Sequence, residues 1–70
     1  MLKEVKPNTW YIHTNTQNKY IVKEIGLYQN KKGLWLKCVI YYNYSHELTT
    51  PFVRKLKHFK KQFELAKIQS

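Results

Sequence analysis

The chain contains no aspartate, and only Glu4, Glu24, Glu47 and Glu64 carry a carboxylate. They are scattered, so no pair is placed for general acid–base catalysis. Cysteine occurs once, at Cys38. That excludes an internal disulfide and fits a reducing compartment. The two glycines, Gly26 and Gly33, cannot build a phosphate-cradling loop. With only two prolines beside them, most of the chain is expected to be ordered. His13, His46 and His58 lie far apart and share no metal-ligand spacing with the single cysteine. Lys3, Glu4 and Lys6 interrupt any apolar start, so no leader is expected. No apolar stretch approaches the ~20 residues of a membrane span. These absences lead us to expect a cytoplasmic protein that is not an enzyme and has no catalytic residues, metal or cofactor.

What is present is a globular composition, 43% apolar and 16% aromatic, over 70 residues. That makes one domain with a thin core, since a chain of this size buries only about 60% of its unfolded surface. A deep, water-excluding small-molecule pocket of about 300 Å³ or more has little room, so no small-molecule substrate is expected. Thirteen Lys and Arg against four acids give a net charge of +9. Such a balance favours an anionic partner: nucleic acid, an acidic protein surface or anionic lipid. The plain alternative is that a small lysine-rich protein is merely a soluble cation.

Residues 1–8 read as a lead-in, broken at Pro7-Asn8. Trp10-Tyr11-Ile12-His13-Thr14 is aromatic and β-branched, suiting a strand, and Asn15-Thr16-Gln17-Asn18 a turn. Lys19 to Gln29 predicts a second strand. In it Ile21, Lys23, Ile25 and Leu27 share one parity, and Tyr20, Val22 and Tyr28 the other. Apolar groups on both faces suit a curled strand serving two sides of a small barrel. Asn30-Lys31-Lys32-Gly33 predicts a tight hairpin with positive φ at Gly33, followed by a third strand from Leu34 to about Tyr42. Cys38 lies within that apolar run and reads as a small hydrophobe. Asn43 to Thr50 is polar and irregular.

Leu56, Phe59, Phe63 and Ala66 recur at helical spacing and predict an amphipathic C-terminal helix over 55–68, with Lys57, Lys60, Lys61 and Lys67 facing water. Its start is open. Thr50-Pro51 can cap and begin it, or Phe52-Val53-Arg54 can be a last short strand. The expected class is mainly β (α+β), a small antiparallel β-barrel over 10–54 with that helix laid on its sheet.

Tyr11-Ile12-His13, Tyr20-Ile21-Val22, Val39-Ile40-Tyr41 and Phe52-Val53-Arg54-Lys55-Leu56-Lys57-His58-Phe59 follow one another in an order and rough spacing spanning residues 10–63. This series resembles the DUF1653-like small bacterial and phage domains. Their pattern runs aromatic-x-His, Tyr-x-Val, Val-Val-Tyr and Trp-Val-Arg-Pro-Leu-x-x-Phe. Phe52 stands where that pattern has Trp and Lys55 where it has Pro. Its glycine between the His and Tyr motifs is absent, with Asn18 nearest. The resemblance implies a small SH3-like antiparallel barrel with a terminal helix and favours 52–54 as strand. It implies no activity.

The strongest candidate surface is the basic stretch at the end. Arg54, Lys55, Lys57, Lys60, Lys61 and Lys67 against Glu64 place five of the nine net charges within residues 54–67. Cations at a helix start oppose the macrodipole, which hints at function, and the alternative is a solvated helix face. Lys31 and Lys32 add charge at the hairpin tip. Among the aromatics, Tyr42 and Tyr44 beside the polar loop are expected to be exposed, whereas Val39-Ile40-Tyr41 is expected to be core. His13 reads as a structural histidine and His58 as one more basic group.

Two functions follow. One is a nucleic-acid-binding module, with lysines on phosphates and Tyr42, Tyr44 or Trp35 stacking on bases. The other is a protein-binding adaptor or inhibitor, phage-encoded given the company the resembling family keeps. It would dock on an acidic or nucleic-acid-binding site of a host protein, host defence nucleases included. A membrane partner is not expected, because the apolar stripe is needed for the core. A monomer or weak homodimer is expected.

Overall fold

A computed structural model describes residues 1–43 and 50–69. Five strands and one helix follow in chain order: β1 (Thr9–His13), β2 (Lys19–Gln29), β3 (Trp35–Asn43), β4 (Pro51–Lys55), α1 (Leu56–Gln62) and β5 (Phe63–Leu65). All strand pairs are antiparallel and form one sheet in the order β4-β3-β2-β1-β5. The fold is therefore mostly β with one short helix. The sheet is not closed: β4 and β5 are its two edges, joined by α1.

Residues 52–54 are strand, since Pro51–Lys55 pair along β3 from Tyr42 to Cys38. The helix expected over 55–68 is shorter. It ends at Gln62, where Phe63 turns extended at φ −126° and ψ 156°. The residues that follow, Glu64-Leu65-Ala66-Lys67, are good helix formers, but tertiary pairing overrides that weak preference. Phe63–Leu65 add to the free edge of β1, with His13 opposite Phe63 and Tyr11 opposite Leu65. The expected apolar stripe survives the change of backbone, because Phe59 and Phe63 are both buried.

The core lies on one face of the sheet beneath α1. It is built from Tyr11, Val22, Val39, Tyr41, Phe59 and Phe63, with Leu2, Val5, Tyr20, Ile25 and Leu56 packed around it. Tyr41 is its hub, meeting Tyr20, Phe52, Phe59 and Phe63 at centroid distances of 5.2 to 5.6 Å. Strict alternation in β2 does not hold. The register passes from Val22 opposite Tyr41 to Glu24 opposite Ile40, leaving Lys23 as the extra residue of a bulge. The bulge shifts the inward parity, so Tyr20 and Val22 reach the core before it and Ile25 after it. Residues 1–8 form no strand but are docked. Leu2 N–H donates to the Lys60 carbonyl (3.0 Å), and Asn8 N–H to the Val22 carbonyl (2.7 Å).

The two central strands outrun their neighbours. β1 pairs β2 only as far as Val22, and β4 pairs β3 only from Cys38 onward. Among the described residues, Leu27–Gln29 and Trp35–Lys37 therefore pair only with each other, as a two-stranded ribbon that overhangs the sheet.

A cationic hollow beside the β2–β3 ribbon

The tip of the ribbon is closely tied. Asn30 N–H donates to the Leu34 carbonyl at 2.9 Å, and Gly33 N–H donates to the Asn30 carbonyl at 3.0 Å. The Asn30 side-chain oxygen accepts from Lys32 N–H and Leu34 N–H, both at 2.9 Å. Gly33 sits at φ +84°, where a Cβ is unfavourable. A turn closed by a residue in the left-handed region is a common three-residue hairpin connection, as the sequence led us to expect. It holds Lys31 and Lys32 out in solvent.

At the base of the ribbon the start of α1 comes against it. Tyr28, Leu36, Lys37, Lys55, Leu56, Lys57 and His58 line a hollow of about 380 Å³. That volume is within the range of small-molecule sites, but its Lys37, Lys55, Lys57 and His58 walls are exposed. Three lysines and a histidine from β3, β4 and α1 thus line one hollow with a tyrosine, over whose ring the Lys55 Nζ lies at 5.9 Å. The Tyr28 hydroxyl is buried and has no hydrogen-bond partner among the described residues. No carboxylate among the described residues lines this hollow, whereas two other hollows of the surface include Glu4 and Glu64 respectively. Among the described residues the ion pair is the exposed Lys6–Glu4 contact at 3.4 Å, away from the ribbon.

The other residues singled out from the sequence are spread over the molecule. Arg54 is turned inward. Its Nε donates to the Tyr41 hydroxyl (3.1 Å), an Nη1 bonds the Gln62 side-chain oxygen, and the guanidinium lies 5.5 Å from the Phe63 ring centroid. Lys60 and Lys61 are in the last turn of α1, where the macrodipole favours cations. Only Lys57 stands within the first turn, with Lys55 at the cap, so the expected conflict with the dipole is much reduced. Tyr42 is half-buried near the far end of β3, opposite Ile21 and Pro51. Tyr44 lies outside the described residues, as do His46 and Glu47. His13 packs edge-on against Phe63 at 4.9 Å and reaches Thr16 Oγ1 with Nδ1 at 3.4 Å, a structural placement. Cys38 is 4% exposed and fills space as a small hydrophobe.

Sequence reasoning put His58 on the same basic surface as Lys55 and Lys57, but it did not bring Tyr28, Leu36 and Lys37 to them. It marked Trp35 as a stacking ring, and the structure leaves that side chain exposed, but it did not mark the ribbon's exposed leucines, Leu27, Leu34 and Leu36. A signal was available in the strand lengths. Flanking strands of five residues cannot cover central strands of eleven and nine, so part of the longer pair must stand free.

Among the described residues no three His, Cys, Asp or Glu side chains gather in a group able to hold a metal ion. No helix among the described residues is long and apolar enough to cross a membrane. Comparison with known protein families, with curated proteins and with solved structures finds no match to this chain.

Proposed function

We propose that this chain is a small, non-catalytic binding module whose partner is nucleic acid. The observation that carries this reading is the hollow, without a carboxylate among the described residues, that Lys37, Lys55, Lys57 and His58 line from three elements beside Tyr28. Phosphates attract such a cluster, and each contact releases a condensed counterion. Lys31 and Lys32 extend the positive surface along the ribbon, and the exposed Trp35 ring offers a face for a base. Contacts of this kind set orientation and affinity with little sequence preference.

The finer fold reading, the small SH3-like antiparallel barrel that the DUF1653-like resemblance implies, draws support from two features although the sheet is open. The bulge at Lys23 bends β2, and the last strand returns to pair with the first.

The test is binding of the purified protein to a labelled mixed-sequence oligonucleotide at salt from about 50 to 200 mM. Micromolar or tighter binding, with log K falling linearly in log salt, is the expected result. Absence of binding at the low-salt end removes the reading. A second reading, the protein-binding adaptor or inhibitor, is favoured by the exposed aliphatic side chains Leu27, Leu34 and Leu36, which a phosphate backbone does not need.

A further inference from the structure

Building on the nucleic-acid reading above, we propose that the ligand is single-stranded and that its bases lie on the overhanging ribbon, with Trp35 as the stacking platform. Residues along a strand alternate between faces. With Leu27 opposite Lys37 and Gln29 opposite Trp35, one face of the ribbon carries Leu27, Trp35 and Lys37. Tyr28 opposite Leu36 gives the other face a second ring and a second leucine. Ile25 opposite Val39 puts this face in line with the inward, core-forming face of the sheet, and here Leu27 and Trp35 are each 62% exposed.

A duplex suits such a surface poorly. A two-stranded ribbon can enter the major groove, but there it meets the polar edges of stacked bases. Leucine and tryptophan side chains would leave those donors and acceptors unpaired, which is costly. A single strand instead presents base faces, and every base has a π-face that an exposed indole accepts. Charge complementarity supplies the rest. Lys37 projects from the same face two residues beyond Trp35, and the tied tip holds Lys31 and Lys32 beside the path a backbone would take. A second copy of this chain is a poor occupant, because a surface bearing Lys31, Lys32 and Lys37 on a +9 protein repels its own kind.

The experiment compares a labelled oligothymidine of about 12 nucleotides with the duplex it forms with oligoadenine, at equal salt, by fluorescence anisotropy. The single strand is expected to bind at least about fivefold tighter, the effect of one stacked base. Trp35→Ala should weaken single-strand binding by about 5- to 150-fold while leaving the salt slope and the duplex affinity unchanged. Trp35→Phe should recover most of the loss. Trp35 is exposed, so both variants are expected to keep the wild-type circular dichroism spectrum. Duplex binding as tight as or tighter than single-strand binding, or an unaffected W35A, overturns this inference while the nucleic-acid reading stands. Failure of both probes to bind at about 50 mM salt overturns the two together and leaves an acidic protein as the partner.

Discussion

Phe59 and Phe63 stack face to face, centroids 3.9 Å apart and planes within 4°, although one belongs to the helix and the other opens the last strand. The four-residue spacing that would align them along a helix also brings them together across its end. Both are almost fully buried. Truncating either in so thin a core removes a large part of what holds α1 down. Phe59→Ala should cost about 3–5 kcal/mol, enough to unfold much of a marginal domain of this size. Phe59→Leu should keep the fold with a lower urea midpoint. A midpoint for F59A within error of wild type would show that this ring is not in the core.

Arg54 bonds the Tyr41 hydroxyl and the Gln62 side chain at once, tying β4 to the end of α1. A lysine cannot reproduce that fork. Arg54→Lys should therefore lower stability by about 1–2 kcal/mol, the usual loss for a half-buried hydrogen bond, and leave the salt dependence of oligonucleotide binding as it was. A slope reduced by one with stability intact would instead place Arg54 on a phosphate.

Lys57 and Lys61 are four residues apart in the same helix but differ in surroundings. Lys57 lines the hollow, and Lys61 stands in the last turn where the dipole favours it. K57A should reduce the salt slope by about one. K61A should leave the slope alone and cost a few tenths of a kcal/mol in stability, about 0.3–1 at most. Equal slopes for the two variants would disconnect the hollow from binding.

Gly33 at φ +84° closes the ribbon tip. Gly33→Ala should cost about 1–2 kcal/mol in backbone strain, seen as a fall in Tm of about 4–8 °C for each kcal/mol. It should also weaken oligonucleotide binding, because Lys31 and Lys32 lose their fixed placement. An unchanged Tm would mean the tip adopts another turn at no cost.

Sequence pattern alone specified the β-rich class, the hairpin about Lys31 and Lys32 with its glycine, the net positive charge, and the apolar identity of Val39, Tyr41, Phe59 and Phe63. These are local properties: alternation, turn chemistry and side-chain hydrophobicity do not depend on what lies elsewhere in the chain. The end of the helix was not legible, because Phe63 keeps the stripe whether the backbone is helical or extended. Only β1, fifty residues away, supplies the pairing edge that makes it a strand. Likewise, the bulge at Lys23 is invisible to parity counting until β3 fixes the register. The hollow is tertiary in the same sense, since Lys37, Lys55 and Lys57 meet at Tyr28 only because β4 hands the chain to α1 beside the root of the ribbon. Charge and hydrophobicity follow from composition, but which charges share one anion is decided by long-range packing.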